Sequence, residues 1–293
     1  MAPQAVRSAD GVDASPAGGS KQAEKEYLSK AGTERWERIK PFSSPGHDDI
    51  AEGARLIHDF AVALTCLDAR PGHLVLDLGA GGCWASEWLR RFNLRTISID
   101  IATDMLRVGR SRLDTEAWLA AGDLERLPLA ASSVDGAVCL NAFHHVPDAP
   151  AALREVHRVL RPGTHVVFSE PGRGHAAAEV SRTAAGDFGV QERDVLAGDL
   201  LAGCRTAGFS RAVLKPVAHL VPWYEIDADR WHRWQRHAAA RRPLRAAGRV
   251  YRAVLEGLGI AKQGAAFEDA LGMELIRILQ GAMDAHPIVV ATK

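Results

Sequence analysis

Four short apolar runs recur along the chain, each the length of a single strand: HLVLDL (73–78), RTISID (95–100), DGAVCL (135–140) and THVVFSE (164–170). Between them the apolar positions move to helical spacing, over 83–92, 103–113 and 150–160. The last of these, PAALREVHRVL, stops on Arg161-Pro162-Gly163, a helix terminator. Strands that are apolar almost throughout, alternating with helices, predict a parallel sheet covered on both faces. Residues 193–209 continue with a helix, SRAVLKPV (210–217) with a strand, residues 222–284 with helical spacing, and HPIVVAT (286–292) with a final strand. Upstream, EKEYLSKAGTERWERI and DDIAEGARLIHDFAVALTCL read as helices, the second capped by Asp48 or Asp49.

The expected division follows from this pattern. Residues 1–24, small and polar, read as a disordered tail, and 25–72 as a helical cap. Residues 73–221 read as the core, 222–285 as a helical insertion and 286–293 as the last strand. The predicted fold class is α/β, a doubly wound, mainly parallel sheet of seven strands.

Composition narrows the function. The 293 residues carry no formal net charge, so no global field points to nucleic acid or to a membrane surface. Cys66, Cys83, Cys139 and Cys204 are widely spaced and form no C-x-x-C pair, which argues against a zinc ribbon or a disulfide framework. No apolar run is long enough to span a bilayer, and the N-terminus lacks the apolar core of a signal peptide. The expectation is a cytoplasmic protein with reduced thiols, no metal, no nucleic-acid partner and no stable membrane insertion. The pattern says nothing of oligomeric state.

The candidate chemistry starts where the first strand breaks, at Asp77-Leu78-Gly79-Ala80-Gly81-Gly82. In an open α/β sheet, ligands bind beyond the carboxyl ends of the strands, and glycines let the backbone approach them. A dinucleotide fingerprint wants a third glycine where Trp84 stands, and no phosphate-binding lysine follows. None of the three tyrosines has a lysine four residues on, so the usual hydride-transfer pair is missing too. A carboxylate at the turn suits a ligand bearing a cationic amine.

The Asp-x-Gly-x-Gly pattern resembles the first motif of class I S-adenosylmethionine-dependent methyltransferases, and further motifs follow in that family's order. Asp100 ends the second strand, and AAGDLERLPL (120–129), SSVDGAVCLNAFHHVPD (132–148) and LREVHRVLRPGTHVVFSEP (153–171) come after it. The resemblance covers residues 70–218 and implies a Rossmann-like fold with S-adenosyl-L-methionine as cofactor. It places Asp77, Gly79, Ala80, Gly81, Asp100, Ile101, Asp123, Leu124 and Asn141 around that cofactor. Asp100 is expected on the ribose hydroxyls, Asp123 and Leu124 at the adenine, and Asn141 near the methionine part.

The acceptor side is read from the residues themselves. His144 and His145 leave the fourth strand at the edge of the methyl site and are candidates for a general base, with His145 slightly ahead. Glu170, Arg173 and His175 follow the fifth strand and are candidates for acceptor contacts. Residues 229–252 hold eight arginines with Trp231 and Trp234, suited to clamping a polar or anionic acceptor. The expected reaction is methyl transfer to a hydroxyl, or an amine, of a small polar, sugar-bearing or natural-product molecule. The alternatives are a binding module without catalysis and, behind it, an NAD-dependent oxidoreductase.

Overall fold

A computed structural model of the chain describes residues 17–31, 38–42, 50–216, 280–281 and 283–293. The chain divides into two compact units, residues 1–215 with 285–293, and residues 216–284. The first contains the sheet. Nearly all of the second, the expected helical insertion with Trp231 and Trp234, lies outside the described residues. So does Trp36.

The seven strands are β1 (Leu74–Leu78), β2 (Arg95–Asp100), β3 (Trp118–Ala121), β4 (Gly136–Leu140), β5 (His165–Ser169), β6 (Arg211–Lys215) and β7 (Ile288–Thr292). They order as β3-β2-β1-β4-β5-β7-β6. The first five are parallel; β7 enters between β5 and β6, antiparallel to both. The expected topology holds, including the last strand. The sequence pattern located six of the strands; β3, a four-residue edge strand, escaped it because its burial alternates weakly and Trp118 is exposed.

The helices are α1 (Ala17–Ala31), α2 (Ile50–Cys66), α3 (Trp84–Arg91), α4 (Thr103–Arg112), α5 (Ala149–Val159), α6 (Glu179–Phe188) and α7 (Ala197–Thr206). Successive strand residues face opposite sides of the sheet. Leu76 and Leu78 of β1 share one cluster with Leu153 and Val156 of α5 and Leu200 and Cys204 of α7. Asp77 faces the other side, where Ser86 of α3 bonds it, and Ser169 of β5 bonds Asp59 of α2 there. Helices therefore cover both faces.

One boundary needs correcting. The expected tail ran to residue 24, but α1 begins at Ala17 and buries Glu24. Its sequence is too polar for an apolar stripe to announce it. It is held by polar contacts instead: Lys21 to Asp123 and Glu125, and Ser29 Oγ to Asp104 at 2.6 Å. Tyr27 adds an edge-on contact with Phe188.

Candidate active site

The glycine turn is built by left-handed backbone. Gly79 has φ +63° and Gly81 +49°, and Cys83 takes the same region just before α3. At Gly79 a Cβ would overlap the Cβ of Ala142, so the turn can lie against the exit of β4 only without a side chain. Ala80 N–H donates to the carbonyl of Ile99 at 2.9 Å, and Gly81 N–H to Asp100 Oδ2 at 2.8 Å. Asp100 Oδ1 also accepts from Ala102 N–H at 2.8 Å. The acid at the end of β2 is thus oriented by two backbone donors.

A cavity of about 480 Å³ opens over this turn. Gly79, Ala80, Gly81, Asp100, Ile101, Asp123, Leu124 and Asn141 all line it, as expected. Trp84 lines it as well while packing on Phe60 and Trp88. From α1, Lys21, Glu24, Tyr27 and Leu28 close one side.

Asp77 is the exception. It does not line the cavity; its carboxylate is buried and accepts from Ser86 N–H at 3.1 Å and Ser86 Oγ at 2.7 Å. Strand alternation turns it under the first turn of α3, where it serves donors a helix start leaves open. Burial pushes its carboxyl up to about 6.

The far end of the cavity carries His144, His145, His175, Glu192 and His286, with Glu52 and Arg55 of α2. His144 Nδ1 lies 2.9 Å from Glu170 Oε2. Glu170 is fully buried and accepts from the backbone N–H of Ala142 at 3.1 Å and of His144 at 3.3 Å. It stands behind His144, outside the cavity lining, so it positions that ring instead of meeting an acceptor. Its carboxyl is raised by burial, against the backbone donors that lower it.

His145 Nδ1 lies 2.9 Å from the carbonyl of Gln191 and 3.6 Å from Glu24 Oε2. Burial, then the neighbouring His144, pushes its imidazole down to about 3, and burial holds His144 well below its usual range. Both rings are neutral at pH 7 and weak as free proton acceptors. Glu24, buried near Asp100 and Glu192, is raised to about 8.

His175 reaches the cluster as expected, its Nε2 2.7 Å from Glu192 Oε2. Arg173 does not: it is exposed and absent from the cavity lining, because the loop turns at Gly174 (φ +93°) and carries its side chain outward. Sequence reasoning missed Glu24 and Glu192. Neither sits in a motif, and each reaches the histidines only through tertiary packing. The four cysteines are free. No described helix is long and apolar enough to cross a membrane.

Known proteins agree with this geometry. Residues 76–168 match the family model described as a methyltransferase domain. The demethylmenaquinone methyltransferase of Beutenbergia cavernae is 39% identical over 133 residues, which are 42% of this chain and 55% of that protein. The malonyl-[acyl-carrier protein] O-methyltransferase of Serratia marcescens is 35% identical over 108 residues, 36% of this chain and 41% of that protein. The match to these curated relatives spans about half of their length or less. Among solved structures, the methyltransferase in complex with the Haloferax volcanii Trm112 activator superposes with a TM-score of 0.58. The match covers 90% of this chain and 96% of that one at 17% identity, a likeness of fold. The matched segment contains the glycine turn, Asp100, Asp123, Asn141 and both adjacent histidines, and the cavity these residues line suits a nucleoside bearing a cation. The chain therefore carries a class I S-adenosylmethionine-dependent methyltransferase domain.

Proposed function

We propose that the protein transfers a methyl group from S-adenosylmethionine to a hydroxyl, or an amine, of a small polar acceptor. The observation that carries this reading is the continuity of one cavity, from the glycine turn, Asp100 and Asp123 at one end to His144, His145 and His175 at the other. The residues fit the cofactor. Asp100 presents an oriented carboxylate suited to paired hydroxyls, and Leu124 an apolar wall beside Asp123. Bound there, the cofactor supplies an electrophilic methyl on a good leaving group.

The remaining work is positioning, desolvation and handling of the acceptor's proton. The acceptor end suits those tasks, since it is walled by imidazoles and acids and closed on one side by α1. Glu52, Arg55 and His286 make its outer wall polar, which supports a polar acceptor over a bare hydrocarbon. The two curated relatives are named for unlike acceptors, so the acceptor is read from this wall and not from them.

Calorimetry with S-adenosylhomocysteine tests the cofactor half. Asp100→Ala is expected to weaken binding by about 1–3 kcal/mol, the cost of losing hydrogen bonds to a charged acceptor. Unchanged affinity in that variant removes Asp100 from the site. Cofactor consumption across a broad acceptor panel tests the other half. Tight cofactor binding with no turnover on any acceptor, hydroxyl or amine, would favour the non-catalytic module.

A further inference from the structure

We infer that His144, His145 and Glu192 form a binding site for a divalent d-block cation of the zinc class, at the acceptor end of the cavity. This rests on the reading that the acceptor enters there, and it names what the acceptor's nucleophilic atom meets.

The donor atoms already converge. One ligand atom from each of the three residues lies within 4.8 Å of the others. His144 Nε2 is 3.8 Å from Glu192 Oε2, and His145 Nδ1 is 3.9 Å from Glu192 Oε1. Donors on a tetrahedral ion at about 2.1 Å stand roughly 3.4 Å apart, so these need to close by only about half an ångström.

Crowding at His145 is a second, independent observation. Three oxygens face its Nδ1: the Gln191 carbonyl at 2.9 Å, Glu24 Oε2 at 3.6 Å and Glu192 Oε1 at 3.9 Å. One ring N–H serves one of them. Glu24 Oε2 is buried and has no hydrogen-bond partner among the described residues. Its side chain is only 9% exposed and is aimed at this point. A buried carboxylate oxygen left in that state is costly, and a cation at the point where nitrogen and oxygens meet satisfies it.

The surroundings are those of a metal site. His144 is backed by the Glu170 carboxylate on Nδ1, which holds the ring with Nε2 toward the cavity, the carboxylate–histidine arrangement that orients metal ligands. Glu192 is backed in turn by His175 Nε2 at 2.7 Å. Two imidazoles and a carboxylate select zinc, iron or cobalt over magnesium or calcium, which demand oxygen. Three protein ligands also leave a coordination position for an acceptor oxygen or nitrogen.

The test uses full-length protein without an affinity tag, freed of metal by a chelator. Zinc and, separately, magnesium are titrated by calorimetry, cobalt is followed by its visible spectrum, and S-adenosylhomocysteine affinity is measured in parallel. The expectation is one zinc per chain, a tetrahedral or five-coordinate cobalt spectrum and no comparable magnesium binding. His145→Ala and Glu192→Gln are expected to weaken zinc at least 10-fold, with S-adenosylhomocysteine affinity within about threefold of wild type. Zinc bound equally by wild type and both variants, or no stoichiometric zinc at micromolar concentration, overturns the metal site. Full turnover in the chelated protein overturns it too while leaving the methyltransferase reading intact. Loss of S-adenosylhomocysteine binding by the wild-type protein is the distinct result that defeats that reading.

Discussion

Asp77 and Asp100 each end a strand, each two or fewer residues from the turn they were expected to serve, yet they do different things. Asp100 lines the cavity; Asp77 is turned inward to hold Ser86. A local motif shows that an acid is needed at a strand end, but strand parity decides which way it points. Its burial has a measurable consequence. A carboxyl at 3.8 in the unfolded chain and about 6 in the folded one means that the folded state binds more protons between those values. Stability should therefore be greatest below about pH 4 as far as this group is concerned, and fall as pH rises to about 6, by roughly 3 kcal/mol at most. Asp77→Asn removes that titration. Urea unfolding of wild type and variant at pH 4, 5, 6 and 7 should show their stability difference drifting toward the variant as pH rises. A difference that is constant with pH would show that Asp77 is not raised. Among the site residues, Asp123, Asn141 and the two histidines were legible as parts of ordered motifs. Glu24 and Glu192 were not, since isolated acids in polar segments look like any solvated charge.

At the scale of elements, the glycine turn depends on how closely α4 approaches α3. Gly109 of α4 abuts Cys83, and a Cβ there would overlap its Sγ. Gly109→Ala is expected to destabilise by roughly 1–3 kcal/mol through overpacking, and to weaken S-adenosylhomocysteine because Cys83 ends the turn. Gly186, inside α6, has open space around it and provides the contrast. Gly186→Ala should be neutral or stabilising by up to about 1 kcal/mol, from helix propensity alone. Thermal or urea melts of the two variants decide it; equal effects would mean that the α4 contact carries no strain. The helices α3, α4 and α5 were legible because their apolar stripes face the sheet. The helix α1 was misjudged at its start because it docks through Lys21, Ser29 and Tyr27. Such contacts depend on partners far along the chain and leave no periodic trace.

For the whole molecule, β7 is the strand that completes the sheet. It pairs with β5 and β6 at once, and Val289 and Ala291 belong to the main core cluster. Gly163 N–H also donates to the Lys293 carbonyl at 2.9 Å. Removing residues 286–293 leaves β5 and β6 without a shared neighbour and opens that core. The expected result is loss of a cooperative urea transition, and a sharp transition near the wild-type midpoint would refute the closing role of β7. The alternation of apolar runs and helical stripes determined the α/β class, the two-sided cover and the presence of a last strand, because each is set by the local period of a chain that must bury one face or both. The order of motifs likewise determined where the cofactor end lies. Only the tertiary structure decided that Asp77 points inward, that Arg173 points out, and that Glu24, His144, His145, His175 and Glu192 converge. Those outcomes depend on strand parity, on a turn at one glycine, and on contacts between positions up to 168 residues apart. No local pattern along the chain encodes such distances, since they exist only once the sheet has brought its loops to one edge.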